Sequence, residues 1–352
     1  MNRFRAVLAL WLVLDGLVFS TPPALAYDAV TAGEQHTCAL QSGRVACWGD
    51  NLFKELGTAT DHRIPVEVEG LATVVAVAAG GMHTCALDKS RTVYCWGSNL
   101  AGQVADDAEM KMAHPHRVPH VKDVQVLVAG ALHTCALTSD GRVLCWGGNN
   151  FNHTSLEPAK VVEGIGSSKT IAAGWLQTCA LSNAGDVHCW NMQDGAISAP
   201  VKIALLSRAT SVAAGRVHAC ALSEDHRVMC WSRVGAADQV SMTPHWIEGL
   251  KDVHSISAGQ NHTCAVTASG SAACWGSNDS GQLGTGSTQN SDVPALLQLG
   301  RVRAIAAGTY HTCALDVAGK LRCWGNNLSG ELGTGDTHDT LSAQDSVAVK
   351  PF

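Results

Sequence analysis

The strongest constraint on the fold of this chain is a pair of cysteines that occurs seven times. In every copy an Ala-Gly dipeptide ends five residues before the first cysteine, and a tryptophan directly follows the second. The copies recur every 41–50 residues, which is the length typical of repeated units such as propeller blades. The pairs are Cys38 and Cys47, Cys85 and Cys95, Cys135 and Cys145, Cys179 and Cys189, Cys220 and Cys230, Cys264 and Cys274, and Cys313 and Cys323.

Each copy divides into four short apolar segments separated by turn residues. Their sequences are of the types "VVAVAAG", "HTCAL", "VxCWG" and, after a proline, "PVEVEG". None has helical periodicity. Four strands in each of seven repeats predict an all-β fold, a seven-bladed β-propeller of four-stranded blades. The first copy starts at "YDAVTAG" without a preceding proline-led strand. We therefore expect the C-terminal strand "SVAVKPF", residues 346–352, to join the N-terminal blade and close the ring.

The spacing of the cysteines matches a disulfide across a β-hairpin. If Cys135 lies opposite Cys145, three residues remain for the turn, and Gly141 takes the left-handed third position. In the first copy, Cys38 and Cys47 are one residue closer, and the same pairing leaves a two-residue turn. Both arrangements put the cysteines in a non-hydrogen-bonded pair, where side chains approach closely. The sequence therefore predicts seven hairpin disulfides, each stabilising the fold by roughly 2–3 kcal/mol.

Metal and redox sites fit the same cysteines less well. Zinc knuckles and redox motifs place two cysteines close together, and the spacing here is nine or ten residues. Histidine occupies one repeated position in six copies, and Gln177 replaces it in the fourth: His36, His83, His133, His218, His262 and His311. A metal ring is the alternative, but propeller symmetry keeps equivalent residues apart, so we expect structural hydrogen bonds. We predict no metal and no cofactor, and we interpret the repeated tryptophans as packing between blades.

The N-terminus has the features of a secretory signal peptide. Arg3 and Arg5 precede an apolar run, and Ala24-Leu25-Ala26 forms a small-x-small cleavage signal before Tyr27. We expect residues 1–26 to be the signal peptide and residues 27–352 the propeller. An uncleaved membrane anchor is the alternative, but Asp15 interrupts an apolar run too short to span a bilayer. The prediction is a protein secreted to the extracellular space or periplasm, with no membrane insertion after cleavage, where disulfides persist.

The amino-acid composition limits the kinds of partner that the chain can bind. Hydrophobic residues make up 46% and charged residues 15% of 352, which is typical of a globular protein. The formal net charge is −6, and removal of Arg3, Arg5 and Asp15 with the leader makes it −7. This acidic balance argues against a nucleic-acid partner. We expect a monomer.

The repeat resembles that of the regulator of chromosome condensation family. The likeness is clearest in "CWGSNDSGQLGTG", residues 274–286, and "CWGNNLSGELGTG", residues 323–335, and extends over nearly all of 27–352. The resemblance implies a seven-bladed propeller. Family members include a nuclear guanine-nucleotide exchange factor and a secreted bacterial protein that inhibits β-lactamases through the loops of one face. The resemblance therefore leaves the function open.

The glycine-rich loop of that repeat is lost after Trp146, Trp190 and Trp231. The replacing segments, 148–157, 191–199 and 232–245, lie between the third and fourth strands of adjacent blades, so symmetry places them on one side of the ring. We interpret them as a partner-binding surface, and drift where glycine turns are not needed is the alternative. The candidate contact residues are Phe151, His153, Met192, Arg233, Met242, His245 and Trp246. Trp246 also fits the fourth-strand pattern, where it would be buried.

Three functions remain from the sequence. The first is an exported propeller that binds a protein or a surface glycan through the loops of one face. The second is nucleotide exchange or chromatin binding, which the predicted leader, disulfides and acidic charge oppose. The third is a hydrolase or lyase built from loops of different blades. No motif of a catalytic site occurs in the chain, so we expect a protein that is not an enzyme. Glycosylation sequons occur at Asn152, Asn261, Asn278 and Asn327.

Overall fold

The computed structural model describes residues 26–104, 109–148, 159–193, 195–232 and 243–346. All of the regular secondary structure in these ranges is β-strand. The strands form seven antiparallel sheets, which confirms the predicted seven-bladed propeller. Within the same ranges no helix has the length and apolar character needed to cross a membrane.

Each blade is built from consecutive strands, numbered here from the axis outward, and in blade 4 the short strands β16 and β17 both pair with β15. Blade 1 contains β1 (Ala29–Ala32), β2 (His36–Gln41), β3 (Arg44–Gly49) and β4 (His62–Glu67). Blade 2 contains β5 (Val74–Ala79), β6 (His83–Asp88), β7 (Val93–Ser98) and β8 (Lys111–Arg117). Blade 3 contains β9 (Val124–Ala129), β10 (His133–Thr138), β11 (Val143–Gly147) and β12 (Lys160–Val161).

Blade 4 contains β13 (Ser168–Ala173), β14 (Gln177–Ser182), β15 (Val187–Gln193), β16 (Ala196–Ile197) and β17 (Val201–Lys202). Blade 5 contains β18 (Ala209–Ala214), β19 (His218–Ser223), β20 (Val228–Ser232) and β21 (His245–Trp246). Blade 6 contains β22 (Val253–Ala258), β23 (His262–Thr267), β24 (Ala272–Gly276) and β25 (Ser291–Leu296). Blade 7 contains β26 (Val302–Ala307), β27 (His311–Asp316), β28 (Leu321–Gly325) and β29 (Thr340–Asp345).

The hairpin register agrees with the prediction in every blade. In blade 3, Cys135 pairs with Cys145 and Leu137 with Val143, and Gly141 has a φ of 83°. In blade 1, Cys38 pairs with Cys47, and Ser42 and Gly43 form the two-residue turn with φ values of 51° and 83°. The seven expected disulfides are present, with Cα atoms 4.0–4.1 Å apart. None of the fourteen cysteines is free.

The hydrophobic core lies between the blades as well as within them. The packing clusters combine neighbouring blades, for example Leu56 of blade 1 with Trp96 of blade 2, and Trp48 of blade 1 with Leu332 of blade 7. Both tryptophans are fully buried. Both faces of each sheet are therefore apolar, as the repeated sequence predicts.

The ring closes between blades 7 and 1. Blade 1 takes all four strands from residues 29–67, and the last described strand, β29, pairs with β28 of blade 7. Blade 1 therefore has its four strands without the C-terminal segment, because β4 holds the outer place; the strand predicted to join it, residues 346–352, lies outside the described ranges except for Ser346. Within the described ranges, contacts between the sides of blades 7 and 1 close the ring. Tyr27 N–H donates to the Gly319 carbonyl at 3.0 Å, and Thr309 N–H donates to the Gly33 carbonyl at 3.1 Å.

Candidate functional site

Two faces of the propeller follow from the strand directions. We call the face with the β1–β2 turns and β3–β4 loops, and their equivalents in the other blades, the loop face. The opposite face, with the hairpin turns that follow the first cysteines, is the turn face. The central axis opens on the loop face, where residues directly after each Ala-Gly surround it.

A repeated hydrogen bond joins neighbouring blades beneath the loop face. In six copies, the histidine that begins the second strand bonds through Nε2 to a threonine hydroxyl of the adjacent blade, over 2.7–2.9 Å. The pairs are His36–Thr84, His83–Thr134, His133–Thr178, His218–Thr263, His262–Thr312 and His311–Thr37. The predicted structural role of these histidines is thus confirmed. Each lies in its own junction, so they do not converge on a common ligand.

In four of the six junctions, a shared carbonyl determines which atom of the His–Thr pair carries the proton. The Glu55 carbonyl, in the β3–β4 loop, accepts from the Thr84 hydroxyl and from the Trp96 indole N–H, both at 2.8 Å. Glu331, Gln103 and Gln282 supply the equivalent carbonyl in three other junctions. Since this threonine donates its one proton to the carbonyl, it must accept from histidine Nε2–H. Nε2 therefore carries the proton, and Nδ1 is the bare nitrogen of the neutral imidazole.

Burial accounts for the neutral form. The pKa of His36, His83 and His262 is lowered to about 3, and the pKa of His133, His218 and His311 to about 4, chiefly because burial disfavours the imidazolium ion. Burial also raises the pKa of two acids in the β3–β4 loops, to about 8 for Glu55 and about 7 for Glu331. Blades 2 and 6 have Gln103 and Gln282 at that position.

The junction between blades 4 and 5 departs from this pattern. Gln177 replaces the histidine, and Ala219 replaces the threonine that would receive its bond. The Gln177 amide donates instead to the carbonyls of Gly215 and His218, at 3.2 and 2.7 Å. The buried indole N–H of Trp231, which packs against blade 4 at this junction, has no hydrogen-bond partner. The indole N–H of Trp190, which packs against blade 3 at the preceding junction, also lacks one. Orphaned buried donors destabilise a fold by about 1–3 kcal/mol each, so blades 4 and 5 lack bonds that the regular junctions make.

Around the axis, backbone bonds join all seven blades in a closed circle. The residue after each Ala-Gly donates its N–H to a carbonyl of the next blade, over 3.0–3.3 Å. Glycine is required at the second position of the dipeptide: a Cβ on Gly80 would lie 2.5 Å from the Gly130 carbonyl oxygen and 2.4 Å from the His83 ring. The seven Ala-Gly dipeptides therefore form a narrow, closely packed floor around the axis.

Above this floor the seven repeats no longer share one residue type. The residues after Ala-Gly are Glu34, Gly81, Ala131, Trp175, Arg216, Gln260 and Thr309. They line a cavity of about 100 Å³ on the axis, which we call the channel mouth. The Arg216 guanidinium stacks on the Trp175 ring, 4.9 Å from its centroid. Burial raises the pKa of Glu34, and the charge of Arg216 opposes that rise.

The structure revises the predicted contact residues. Met192 is 1% exposed and packs in the core with Trp190, because β15 continues to Gln193 and returns as β16 rather than forming an irregular loop. Trp246 is half-buried, with Arg227 stacked 4.0 Å from its ring centroid beside the hairpin turn, so it lies away from the loop face. His245 is exposed. Phe151, His153, Arg233 and Met242 lie outside the described residues.

The regular β3–β4 loops are held together by their own buried side chains. Asn278 accepts from Leu283 N–H and donates to the carbonyls of Ser287 and Gln289. Asn278 and Asn327 are fully buried, whereas the sequon residue Asn261 is exposed. Asn152 lies outside the described residues.

Inspection of the sequence alone missed the channel mouth. The signal was the variable residue directly after each Ala-Gly, where Trp175 and Arg216 follow one another in adjacent repeats. The paired replacement by Gln177 and Ala219 was also visible there. Within the described ranges, no three or more histidine, cysteine, aspartate or glutamate residues form a metal-binding group.

These features define a class, the β-propellers whose blades are each closed by a hairpin disulfide. The chain belongs to the family described as Regulator of chromosome condensation (RCC1) repeat. One profile of that description matches residues 42–87 and 269–315, and a second matches 74–103, 124–152, 209–233, 253–282 and 302–331. Together these ranges cover more than half of the chain.

Known proteins share the fold and part of the sequence. The chain is similar to Prp20p of Saccharomyces cerevisiae, with a TM-score of 0.75, 21% identity, and coverage of 88% of this chain and 87% of the other. It is also similar to human WBSCR16, with a TM-score of 0.76, 20% identity, and coverage of 88% and 94%. A segment of 102 residues is 30% identical to the E3 ubiquitin-protein ligase HERC2 of Homo sapiens, covering 28% of this chain and 2% of HERC2.

Proposed function

We propose that this chain is an exported protein-binding scaffold. Residues 1–26 direct export, residues 27–352 form the mature propeller, and the working compartment is extracellular or periplasmic. The seven disulfides support this assignment, since such bonds persist in oxidising compartments and are rare in the cytosol and nucleus.

The proposed binding surface is the loop face of blades 4 and 5. The observation that carries it is that the junction of blades 4 and 5 combines a lost His–Thr bond with the orphaned indole N–H of Trp231, beside the Trp175–Arg216 stack. Local departures from an otherwise consistent pattern are characteristic of functional sites. Tryptophan and arginine are also the residues most enriched at binding hot spots.

The flanking loops complete the proposed surface. In the chain, Phe151 and His153 fall between β11 and β12 of blade 3, which adjoins the blade of Trp175. Arg233, Met242 and His245 follow β20 of blade 5, the blade that carries Arg216. Met192 and Trp246 are left out because of their burial and position. A protein partner is favoured over a surface glycan, because an arginine-tryptophan pair beside exposed Val217 offers charged and apolar contacts together.

Affinity capture tests the proposal. The mature chain, immobilised through its C-terminus, is exposed to culture medium and surface extract of the host, and bound proteins are identified by mass spectrometry. The pair of substitutions Trp175→Ala and Arg216→Ala tests the blade 4–5 surface. Leu52→Ala and Leu328→Ala are matched controls, since both residues are exposed in regular loops of the same face. We expect a specific partner that the test variant loses and the control variant keeps.

Other outcomes would contradict the proposal. Loss of the partner in the control variant alone would place the surface on blades 7 and 1. Binding only to glycans on an array would replace the protein partner. Prp20p was studied for its binding to Gsp1p and histones, so these two proteins form a further arm, and their selective capture would favour the exchange or chromatin function. Turnover of a substrate in a hydrolase and lyase panel would show an enzyme.

A further inference from the structure

The channel mouth has the features of a small-molecule site. Its floor is the circle of paired backbone amides, and its wall carries Glu34, Trp175, Arg216, Gln260 and Thr309. The volume of about 100 Å³ is well below the roughly 300–1,000 Å³ of sites that take drug-sized ligands. An occupant can therefore have only a few heavy atoms.

Two residues of opposite charge line this mouth. Glu34 belongs to blade 1, and in a ring of seven, blade 1 lies opposite the junction of blades 4 and 5, which carries Trp175 and Arg216. No salt bridge joins Glu34 to Arg216, and within the described ranges neither charged group has a hydrogen-bond partner. Stacking on Trp175 holds the guanidinium in place while its N–H groups remain available.

We propose that the channel mouth binds a small zwitterion, specifically a free α-amino acid with a short side chain. The ligand carboxylate accepts hydrogen bonds from the Arg216 guanidinium, and the ligand ammonium group donates to the Glu34 carboxylate. Gln260 and Thr309 offer further polar contacts at the wall. An anion alone would leave Glu34 unpaired, and a cation alone would face Arg216, so a molecule with both charges suits the site better than either.

The position of Glu34 agrees with this assignment. Its carboxylate is partly desolvated, which raises its pKa and makes an unpaired charge unfavourable. An ammonium group would compensate that charge in a partly dry site, where electrostatic interactions are stronger than in water. The proposal concerns a ligand other than the protein partner, and the purified mature chain alone suffices to test it.

Isothermal titration calorimetry at pH 7 tests it with L-alanine and two matched ligands. N-acetyl-L-alanine lacks the ammonium charge, and L-alaninamide lacks the carboxylate. We expect L-alanine to bind at least about tenfold more tightly than either, which corresponds to about 1.4 kcal/mol. Glu34→Gln and Arg216→Gln should each weaken L-alanine binding at least about tenfold.

Gln35→Ala is the control variant, because Gln35 is exposed next to Glu34 but outside the lining. It should leave the affinity unchanged. The melting temperature of every variant is measured to check that it folds. Because Glu34 and Arg216 are on separate blades, one folded variant of the two is enough to test the proposal. Equal affinity for the three ligands, no binding of L-alanine, or unchanged binding by a folded Glu34 or Arg216 variant would overturn the proposal.

Discussion

Each buried histidine has one bonded ring nitrogen and, for His83, His133 and His262, one nitrogen without a partner. That arrangement is stable only while the imidazole is neutral. Protonation would place a positive charge in a dry junction and leave its new N–H without an acceptor. Six such groups in one molecule make its stability depend on pH.

We predict that the melting temperature falls as the pH is lowered from 6.5 towards 4. The folded pKa values of about 3 to 4 lie below the ordinary value of 6.5, so the unfolded chain binds more protons in this range. The stabilisation is complete above pH 6.5 and is lost as the pH falls. Each histidine lowers the free energy of unfolding by up to about 1.4 kcal/mol for each pH unit of acidification in this range. Thermal unfolding followed by circular dichroism measures the slope, and a flat profile between pH 6.5 and 4 would contradict it.

The junction between blades 4 and 5 suggests a variant for the same test. His83→Gln with Thr134→Ala copies the natural pair Gln177 and Ala219. We expect this double variant to fold, since the new amide can donate to the carbonyls of Gly130 and His133 as Gln177 does in its own junction. Its melting temperature should depend less steeply on acid than that of the natural chain. A slope at least as steep as the natural one would show that His83 does not contribute.

The buried glutamates should have the opposite pH dependence. The pKa of Glu55 is raised to about 8, mainly by desolvation, so the stability it provides in its neutral form is lost as the pH rises from 4.5 towards 8. Glu55→Gln, which copies Gln103 of blade 2, should therefore raise the free energy of unfolding at pH 8 by about 2 kcal/mol or more and give little gain at pH 4.5. Denaturant unfolding at the two pH values measures the difference. An equal effect at both would contradict the assigned neutral acid.

At the level of the elements, the disulfide hairpins were predictable because their geometry is local. The turn length and the alternation of side chains set the register, so a count along residues 135–145 was sufficient. The segment after Trp190 was not predictable in this way. Its extension into β15 and β16 depends on Met192 packing beside Gly148 of the neighbouring blade, where a Cβ on the glycine would lie 3.1 Å from the methionine Cβ. A contact between repeats leaves no periodic signal.

Removal of one hairpin disulfide should destabilise the propeller without changing its fold. Cys135→Ala with Cys145→Ala opens a loop of about ten residues, and we expect the free energy of unfolding to fall by roughly 2–3 kcal/mol. The other six disulfides, in separate hairpins, should form as before. Denaturant unfolding measures the change, and peptide mapping without reduction checks the remaining pairs. Links between different repeats in this variant would contradict the independence of the hairpins.

At the level of the whole molecule, closure depends on contacts between blades 7 and 1 that no chain connection supports. Thr37 lies at their centre, since its hydroxyl donates to the Glu331 carbonyl at 2.9 Å and accepts from His311 at 2.8 Å. The residues that make these contacts, a histidine and a threonine, could be identified in the repeated sequence. The side-to-side contacts that close the ring were not visible, because they join residues 274 and 294 positions apart and leave no local pattern.

Thr37→Val should therefore have an effect beyond one lost bond. We expect a loss of about 1–3 kcal/mol in the free energy of unfolding from the orphaned groups, together with faster amide exchange in blades 1 and 7. Thr84→Val is the matched control, because it breaks the same bond between two blades that the chain connects. Equal exchange in the two variants would show that the closing junction is no weaker than the others.

The channel mouth and the blade 4–5 surface also belong to this scale. Glu34 precedes Trp175 by 141 residues, and Trp175 precedes Arg216 by 41 residues. The three residues line the same cavity only when the ring closes. The sequence showed which repeats are irregular. It did not show which irregular residues reach the surface, because Met192 and Trp246 differ from their neighbours in burial rather than in type.

Hydrogen exchange measured by mass spectrometry, on the mature chain with and without the captured protein partner, tests the proposed binding surface most directly. We predict that the partner slows exchange in peptides that contain residues 174–177 and 215–218, and in the segment that joins β20 to β21. Peptides from the regular loops 278–286 and 327–335 should exchange at the same rate in both samples. Protection confined to those regular loops, with blades 4 and 5 unchanged, would contradict the account.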